Sequence, residues 1–533
     1  MNPSTGIEKD PSPASQSNAS PEVSQSWKIV GMHFRLTQLV FEDGTDTVNE
    51  LVHEREWLLH PRETPCLHGN LFCLENLSEG GGSWFVQPAP LPGARPGETP
   101  YDFRISLKEN HAMVEVTQTP GGHSWERLDW TGGDLEWTRI LHEWQQGFRP
   151  EAAVHQIPAF LSNTWGDRSR DGRMREDFIL TEIEAAAEVG VDIVQLDDGW
   201  QRGITSNSVH ADQGGVWEGF WNQNPKFWTP HPERFPRGLE PLVEAARAHG
   251  VRLGLWFAPD SWNDFVHWER DAACVIDLHR RHGICAFKLD GIKAHSETAL
   301  KNLRGFVARV LHESGGEVVF DLDITAETRP GYFGMMNCGP LFVENRYTDW
   351  HVYWPHHTLR TLWKLSRWID PRRLRMEFLN PERNTGLYGD DPLAPAKYRL
   401  DTLFASVMFA NPLGWFEVSG LSKTARRDLG AITRVWNAHR EALFAGAIIP
   451  IGSCPTGYNF SGFLSVPRDV KAPVYVVLFR GDTREGEFSI ELPDEVAMNG
   501  KLKILHGDGH AQISGKQLKG EIASPLGFVF ASS

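Results

Sequence analysis

Apolar positions recur along this chain with two different periods, and the change of period divides it. From Trp27 to about Phe148, short alternating runs are broken by Gly and Pro, as in Lys28-Ile29-Val30-Gly31-Met32, Ser83-Trp84-Phe85-Val86-Gln87 and Ala112-Met113-Val114-Glu115-Val116. A period of two puts successive side chains on opposite faces of a strand. This spacing predicts an antiparallel β-sandwich over residues 27–153. From about Val154 the rhythm becomes strand, loop, helix. Strand-like runs at 157–161, 193–196, 253–257, 286–289, 318–322, 341–343, 374–378 and 405–409 alternate with amphipathic stretches at 178–189, 239–249, 266–282, 297–313, 357–369 and 425–439. That succession predicts a (β/α)8 barrel over residues 154–445. From Gly446 the β texture returns, with Val474-Tyr475-Val476-Val477-Leu478-Phe479 and Lys501-Leu502-Lys503-Ile504-Leu505, and predicts a small sandwich over 446–533. The predicted fold class is therefore α/β: a central TIM barrel flanked by an N-terminal and a small C-terminal β-sandwich. Residues 1–26, rich in Ser, Pro and Asn, read as a disordered tail without a secretory apolar segment.

A chain of 533 residues exceeds what one compact core accommodates, in agreement with that division. Its formal charge, 53 minus 69 or −16, argues against nucleic acid or an anionic membrane as partner. No run approaches the length of apolar residues that a membrane helix needs, so the expected location is the cytoplasm. The six cysteines are scattered without paired metal spacing or a disulfide framework, and neither a metal nor a cofactor is expected. The aromatic composition points elsewhere: 21 Trp against 8 Tyr, many of the Trp beside Gly, Asp or Pro. Indole faces stack on the apolar faces of sugar rings, although each Trp could equally fill a core.

In a TIM barrel the functional rim lies at the C-terminal strand ends. The run Ile284-Cys285-Ala286-Phe287-Lys288-Leu289-Asp290-Gly291 ends in a Lys and then an Asp, and Val191 to Trp200 ends in Asp197-Asp198-Gly199-Trp200. A carboxylate two residues from a cation is held ionised and can act as a nucleophile at a sugar carbon. The other rim positions are Asn163, Trp165 and Asp167; Trp256, Pro259 and Asp260; Asp321, Asp323, Glu327 and Arg329; and Glu344, Arg346, Asp349 and Trp350. Carboxylates, Trp, one Lys and two Arg suit a neutral polyhydroxyl ligand. A phosphate site would need a Gly-rich loop opening a helix, which these turns lack.

Asn163-Thr164-Trp165, Leu196-Asp197-Asp198-Gly199-Trp200, Gly254-Leu255-Trp256-Phe257-Ala258-Pro259 and Phe287-Lys288-Leu289-Asp290 resemble successive barrel motifs of glycoside hydrolase family 36. Asn224-Pro225-Lys226-Phe227 and Phe235-Pro236-Arg237-Gly238-Leu239 resemble the segment entering its third strand. The resemblance runs in order from Ala159 to Trp368. It implies a retaining α-galactosidase-like enzyme acting on α-linked oligosaccharides or glycosides, in a family whose members often oligomerise. Carried over residue by residue, it makes Asp290 the nucleophile and Lys288 the cation at the sugar hydroxyls. Asp197 and Asp198 match the pair that binds the axial 4-hydroxyl and the 6-hydroxyl, and Trp165 and Trp256 line the pocket. The acid/base stays open between Asp349, in Arg346-Tyr347-Thr348-Asp349, and Glu344, which ends strand six. Trp200, Asp323, Glu327, Arg329, Arg346 and Trp350 complete the expected substrate contacts. The chain departs from the family pattern after the nucleophile, at Gly291-Ile292-Lys293, and in Thr325 to Gly331, which replaces a small-residue loop near the 2-hydroxyl. The competing readings are an α-N-acetylgalactosaminidase, an α-glucosidase-like hydrolase or transglycosylase, a silent sugar-binding barrel, and a metal hydrolase built on Asp321 and Asp323.

Overall fold

The computed structural model describes residues 23–42, 50–95, 99–118, 123–167, 169–294, 296–323, 331–343, 347–496 and 498–533. At its centre eight parallel strands close into a barrel: β1 (Leu161–Asn163), β2 (Ile193–Leu196), β3 (Arg252–Phe257), β4 (Ala286–Leu289), β5 (Val319–Asp323), β6 (Leu341–Phe342), β7 (Leu374–Phe378) and β8 (Asn411–Gly414). The barrel shuts where Leu161 faces Leu413 across β1 and β8. Nearly every strand residue is buried, as expected where one face meets helices and the other fills the barrel interior. Leu161, Ile193, Ala286, Phe342 and Leu413 form an inner cluster, while a larger shell packs strands against the surrounding helices.

Those helices are α1 (Glu176–Glu188), α2 (Glu240–Ala248), α3 (Trp268–His282), α4 (Glu297–Glu313), α5 (Pro355–Leu365), α6 (Leu400–Val407) and α7 (Lys423–Phe444). Helix α4 coincides with its expected span, because Ser296 caps it by accepting from the Ala299 amide at 3.0 Å. Two barrel strands differ from expectation. The run at 405–409 belongs largely to α6, whose every residue is buried. Its apolar residues Leu400, Leu403, Phe404 and Val407 keep helical spacing, but the element is only eight residues long, and a run read from 405 sees its last turn alone. The eighth strand follows as Asn411-Pro412-Leu413-Gly414, disguised by its Pro and Gly. The first strand begins at Leu161 rather than 157. The preceding backbone is pinned by a side chain, the Phe160 amide donating to Asp192 Oδ2 at 2.8 Å.

Antiparallel sheets flank the barrel. On the N-terminal side one sheet runs Val23–Val30, His111–Thr117, Phe103–Lys108 and Cys66–Leu67, and a second runs Val52–Leu58, Phe34–Phe41, Leu71–Asn76, Gly82–Val86 and Glu126–Trp130. Phe34, Leu36, Phe72, Phe85, Phe103 and Val114 fill the space between them. The first strand starts at Val23, so residues 23–26 belong to the sheet and not to the expected tail; residues 1–22 lie outside the described residues. After Ala447 a five-stranded and a four-stranded sheet enclose a second core that includes Leu464, Leu478, Ile513 and Leu518.

Candidate active site

Lys288 organises the C-terminal mouth of the barrel. Period two on β4 turns Lys288 and Asp290 to the same side, and the same period on β5 aligns Asp321 with Asp323. The Lys288 ammonium, 4% exposed, lies 3.3 Å from Asp197 Oδ2, 3.5 Å from Asp323 Oδ2 and 3.7 Å from Asp290 Oδ2. Burial alone pushes a lysine pKa down, but the charges of Asp197, Asp290 and Asp323 outweigh it and hold Lys288 above the ordinary value. The Trp415 and Phe342 rings stand 4.9 and 5.8 Å from the same ammonium. Asp321 sits one layer deeper and pairs with Arg375 of β7 at 3.0 Å, a structural brace rather than a rim ligand.

Asp290 follows β4 directly, its amide continuing the ladder to the Phe257 carbonyl at 3.2 Å. Its Oδ1 accepts the Gly291 amide at 2.7 Å and its Oδ2 accepts the Trp256 indole N–H at 3.2 Å. Trp256 is fully buried between Trp217 and Trp228, so it orients the Asp290 carboxylate from behind instead of presenting a face to the pocket. Trp200 is likewise fully buried, its indole donating to the Trp256 carbonyl at 2.8 Å. It packs beneath the site and offers no surface to a sugar, contrary to the expected contact.

At the end of β2 the two acidic neighbours diverge. Asp197 Oδ2 accepts from Asn163 Nδ2 at 2.7 Å as well as from Lys288, and Asn163 Oδ1 accepts the Trp165 amide at 2.8 Å. Asn163 thereby couples β1 to β2. Asp198 turns away: Gln201 donates to Oδ1 at 2.7 Å and the Thr205 hydroxyl donates to Oδ2. Burial, reinforced by the Asp197 charge, raises the Asp198 carboxyl to about 7. The turn that separates them needs glycine. Gly199 has φ +115°, and a Cβ there would lie 2.2 Å from that of Asp171.

The opposite wall comes from β6 and β8. Asp349 sits half-buried on the short turn Thr348–Trp350. Two residues before it, Tyr347 lies edge-on to Trp350 at 4.4 Å and 6.1 Å from Trp415. Burial and the Asp349 charge together raise the Tyr388 hydroxyl to about 12. Trp350 is exposed at the rim, while Trp165 is buried in the inner cluster with Trp415 and Tyr347. The seam is tight: a Cβ on Gly166 would lie 1.9 Å from the Trp415 carbonyl oxygen. Glu327, Arg329, Glu344 and Arg346 lie outside the described residues. Among the described residues there is no cluster of three His, Cys, Asp or Glu arranged to hold a metal, and no helix long and apolar enough to cross a membrane.

No family model matches the sequence. α-Galactosidase 2 of Pediococcus pentosaceus is 28% identical over 165 residues, which is 31% of this chain and 19% of that protein. α-Galactosidase C of Emericella nidulans is 31% identical over 149 residues, covering 25% and 18%. The chain thus spans about a fifth of the length of the curated relatives it matches. Among solved structures, the family 36 α-galactosidase AgaA of Geobacillus stearothermophilus superposes with a TM-score of 0.61 at 13% identity, over 96% of this chain and 76% of that one. The α-galactosidase of Lactobacillus brevis gives 0.63 at 13% identity, over 96% and 75%. The chain resembles the family 36 α-galactosidases. At these identities the structural likeness concerns the fold, and the local sequence likeness is carried by about a third of the chain or less.

Sequence reasoning missed Trp415, Phe342 and Tyr347 in this family 36-like mouth. Trp415 follows the eighth strand, so misplacing that strand hid it. The signal was Gly414-Trp415-Phe416, a Gly and two aromatics at a strand end.

Proposed function

We propose that the chain is a retaining, exo-acting α-glycosidase that releases terminal α-linked galactose or a close analogue. The observation that carries this reading is the single buried ammonium of Lys288 shared by Asp197, Asp290 and Asp323 at the mouth of the barrel. It leaves Asp290 beside a fixed cation, oriented by Trp256 and the Gly291 amide, as a carboxylate nucleophile requires. The α-galactosidase relatives support the sugar, and variants of AgaA have been crystallised with raffinose and with stachyose.

In the proposed reaction an Asp290 oxygen attacks the anomeric carbon while the bond from that carbon to the glycosidic oxygen breaks. Asp349 gives its proton to the departing oxygen, and the product is a β-linked glycosyl ester. Asp349, now a base, takes a proton from water as the water oxygen attacks the same carbon. Asp290 is expelled and the sugar leaves with its α-configuration. The position of Asp349 on the aromatic wall that carries Tyr347, which acts electrostatically on Lys288, supports the acid/base assignment. Retention requires the two carboxyl groups to lie about 5–5.5 Å apart.

A panel of 4-nitrophenyl α-glycosides tests the sugar, and azide tests the roles. With Asp290→Gly, azide should restore turnover and yield the β-galactosyl azide. With Asp349→Ala it should yield the α-azide, because there it attacks the glycosyl-enzyme. An α-azide absent from Asp349→Ala but present with a Glu344 variant would reassign the acid/base. No turnover of any α-glycoside by the parent chain would defeat the proposal.

A further inference from the structure

A second groove lies far along the sequence from the barrel rim, on the five-stranded N-terminal sheet. The face of that sheet turned to the barrel is covered at one end, where Leu39, Leu71 and Val86 pair in register and are buried. Two residues further along, the cover retreats from Arg35, Thr37, Glu56 and Glu75, while Trp84 stays buried beneath Trp137. The next rows across the sheet read Glu56, Thr37, Cys73, Trp84 and then Arg35, Glu75, Gly82, Trp130. A groove of about 410 Å³ opens there, walled on the far side by Trp137 and by Arg367 and Trp368 beyond helix α5.

The floor and wall are aromatic and held in place. Trp137 stacks on Trp84 at 5.2 Å and 16° and stands 5.2 Å from Trp368. Its indole donates to Asp134 at 3.1 Å, and Trp84 donates to the Trp137 carbonyl at 3.1 Å. Trp130 lies across Gly82, where a Cβ would come within 2.7 Å of its ring. The polar groups sit around this floor. Arg35 holds Glu75 at 2.9 Å, and Glu54 and Glu56 stand exposed at the edge. Four carboxylates line the groove against two guanidinium groups, so an anion is disfavoured.

Half-buried indole for apolar C–H faces, with carboxylates and guanidinium groups for vicinal hydroxyls, matches one chemical class. We infer that this groove is a second carbohydrate-binding site that takes a neutral oligosaccharide, separate from the barrel mouth. Glu56 and Arg367 hydrogen-bond the ring hydroxyls from opposite walls, and Trp137 carries the stacked ring. Such a site anchors an extended saccharide without taking part in its cleavage.

The test uses the full chain carrying Asp290→Asn, with raffinose as probe, read by saturation-transfer NMR with and without saturating 1-deoxygalactonojirimycin. Transfer to raffinose should persist under the iminosugar, reporting the groove alone. The combined Glu54→Gln, Glu56→Gln and Arg367→Ala substitutions should weaken that residual binding about tenfold, the worth of one or two hydrogen bonds to charged groups. In the parent chain they should leave hydrolysis of 4-nitrophenyl α-galactoside unchanged. Loss of all transfer under the iminosugar, or residual transfer indifferent to the groove substitutions, overturns the inference. If the iminosugar displaces nothing while the groove substitutions still abolish transfer, the groove stands and the α-galactosidase reading of the barrel fails.

Discussion

Replacing Lys288 with Met tests the arrangement at its centre. Each of the three carboxylates lies 3.3–3.7 Å from the ammonium. At an effective dielectric of about 20 each attraction is worth roughly 4–5 kcal/mol before desolvation is counted. Methionine keeps the volume and removes the charge, leaving the buried Asp197 and Asp323 and the partly exposed Asp290 in mutual repulsion. The variant relieves this by taking up a proton, which at pH 7 costs about 4 kcal/mol for a carboxyl of ordinary pKa, at 1.36 kcal/mol for each unit. The destabilisation is therefore capped near ~4 kcal/mol at pH 7, in line with the usual cost of breaking a buried pair. Because the variant fold binds a proton that its unfolded chain releases, its deficit must shrink as pH falls, by about 1.4 kcal/mol per unit down to pH 5. Urea denaturation of parent and Lys288→Met at pH 5, 6 and 7 measures this directly. Adding Asp323→Asn to Lys288→Met should recover part of the stability at pH 7 and none of the hydrolytic activity. A pH-independent deficit, or one below about 1 kcal/mol, would show that the ammonium does not neutralise the cluster.

Three further outcomes follow from the same geometry. Trp256→Phe removes the indole bond to Asp290 while keeping an aromatic ring, and should lower kcat on an aryl α-galactoside about five- to tenfold with KM little changed, the loss of one hydrogen bond. Burial raises Asp198, Asp271 and Glu182 each to about 7. Carboxyls with folded values above their unfolded ones stabilise fully below pH ~4 and lose that contribution as pH rises toward 7. Asp171 and Asp370, held low despite burial by hydrogen bonds and ion pairs with Ser208, Arg234 and Arg372, lose theirs only as pH falls below ~4. Calorimetry should therefore place the highest Tm near pH ~4, with Tm falling as pH rises to ~7 and again as pH drops below ~4. Dialysis against a chelator should leave hydrolysis unchanged, because Lys288 already occupies the centre of the carboxylate cluster; loss of activity restored by a divalent cation would revive the metal reading.

The barrel was readable because its strands and most of its helices keep distinct periods. Helix α4 and strands β2, β4 and β7 fall where their patterns put them, since one face of the helix is wet, β2 and β4 are short mostly apolar runs, and β7 alternates Leu374, Met376 and Phe378 with Arg375 and Glu377. Reading failed at the junction of the last barrel helix and strand. Helix α6 spaces Leu400, Leu403, Phe404 and Val407 helically but buries Asp401, Thr402 and Ser406 as well, and β8 has a Pro in its second position. The apolar run 405–409 straddles the last turn of that helix and the link to β8, and a short apolar run does not by itself separate helix from strand.

The site divides along a different line. Lys288 and Asp290 share a strand, and their partnership follows from a spacing of two. Asp197 could be placed beside them only through the ordered motifs, and the tightness of its coupling to Asn163 depends on the register of β1 against β2. Asp198 shows the limit of adjacency. It is the next residue after Asp197, yet the left-handed turn at Gly199 and the donors on Gln201 and Thr205 turn it from the pocket. Trp200 and Trp256 show the same limit for composition. An indole at a strand end reads as a sugar platform, but here Trp200 bonds the Trp256 carbonyl and Trp256 bonds the Asp290 carboxylate. A sugar-facing role for Asp198 would then require Gln201 and Thr205 to release it. Thr205→Val should accordingly change KM for galactosides that carry a 6-hydroxyl and leave those lacking it unaffected, whereas a purely structural Asp198 predicts equal changes for both.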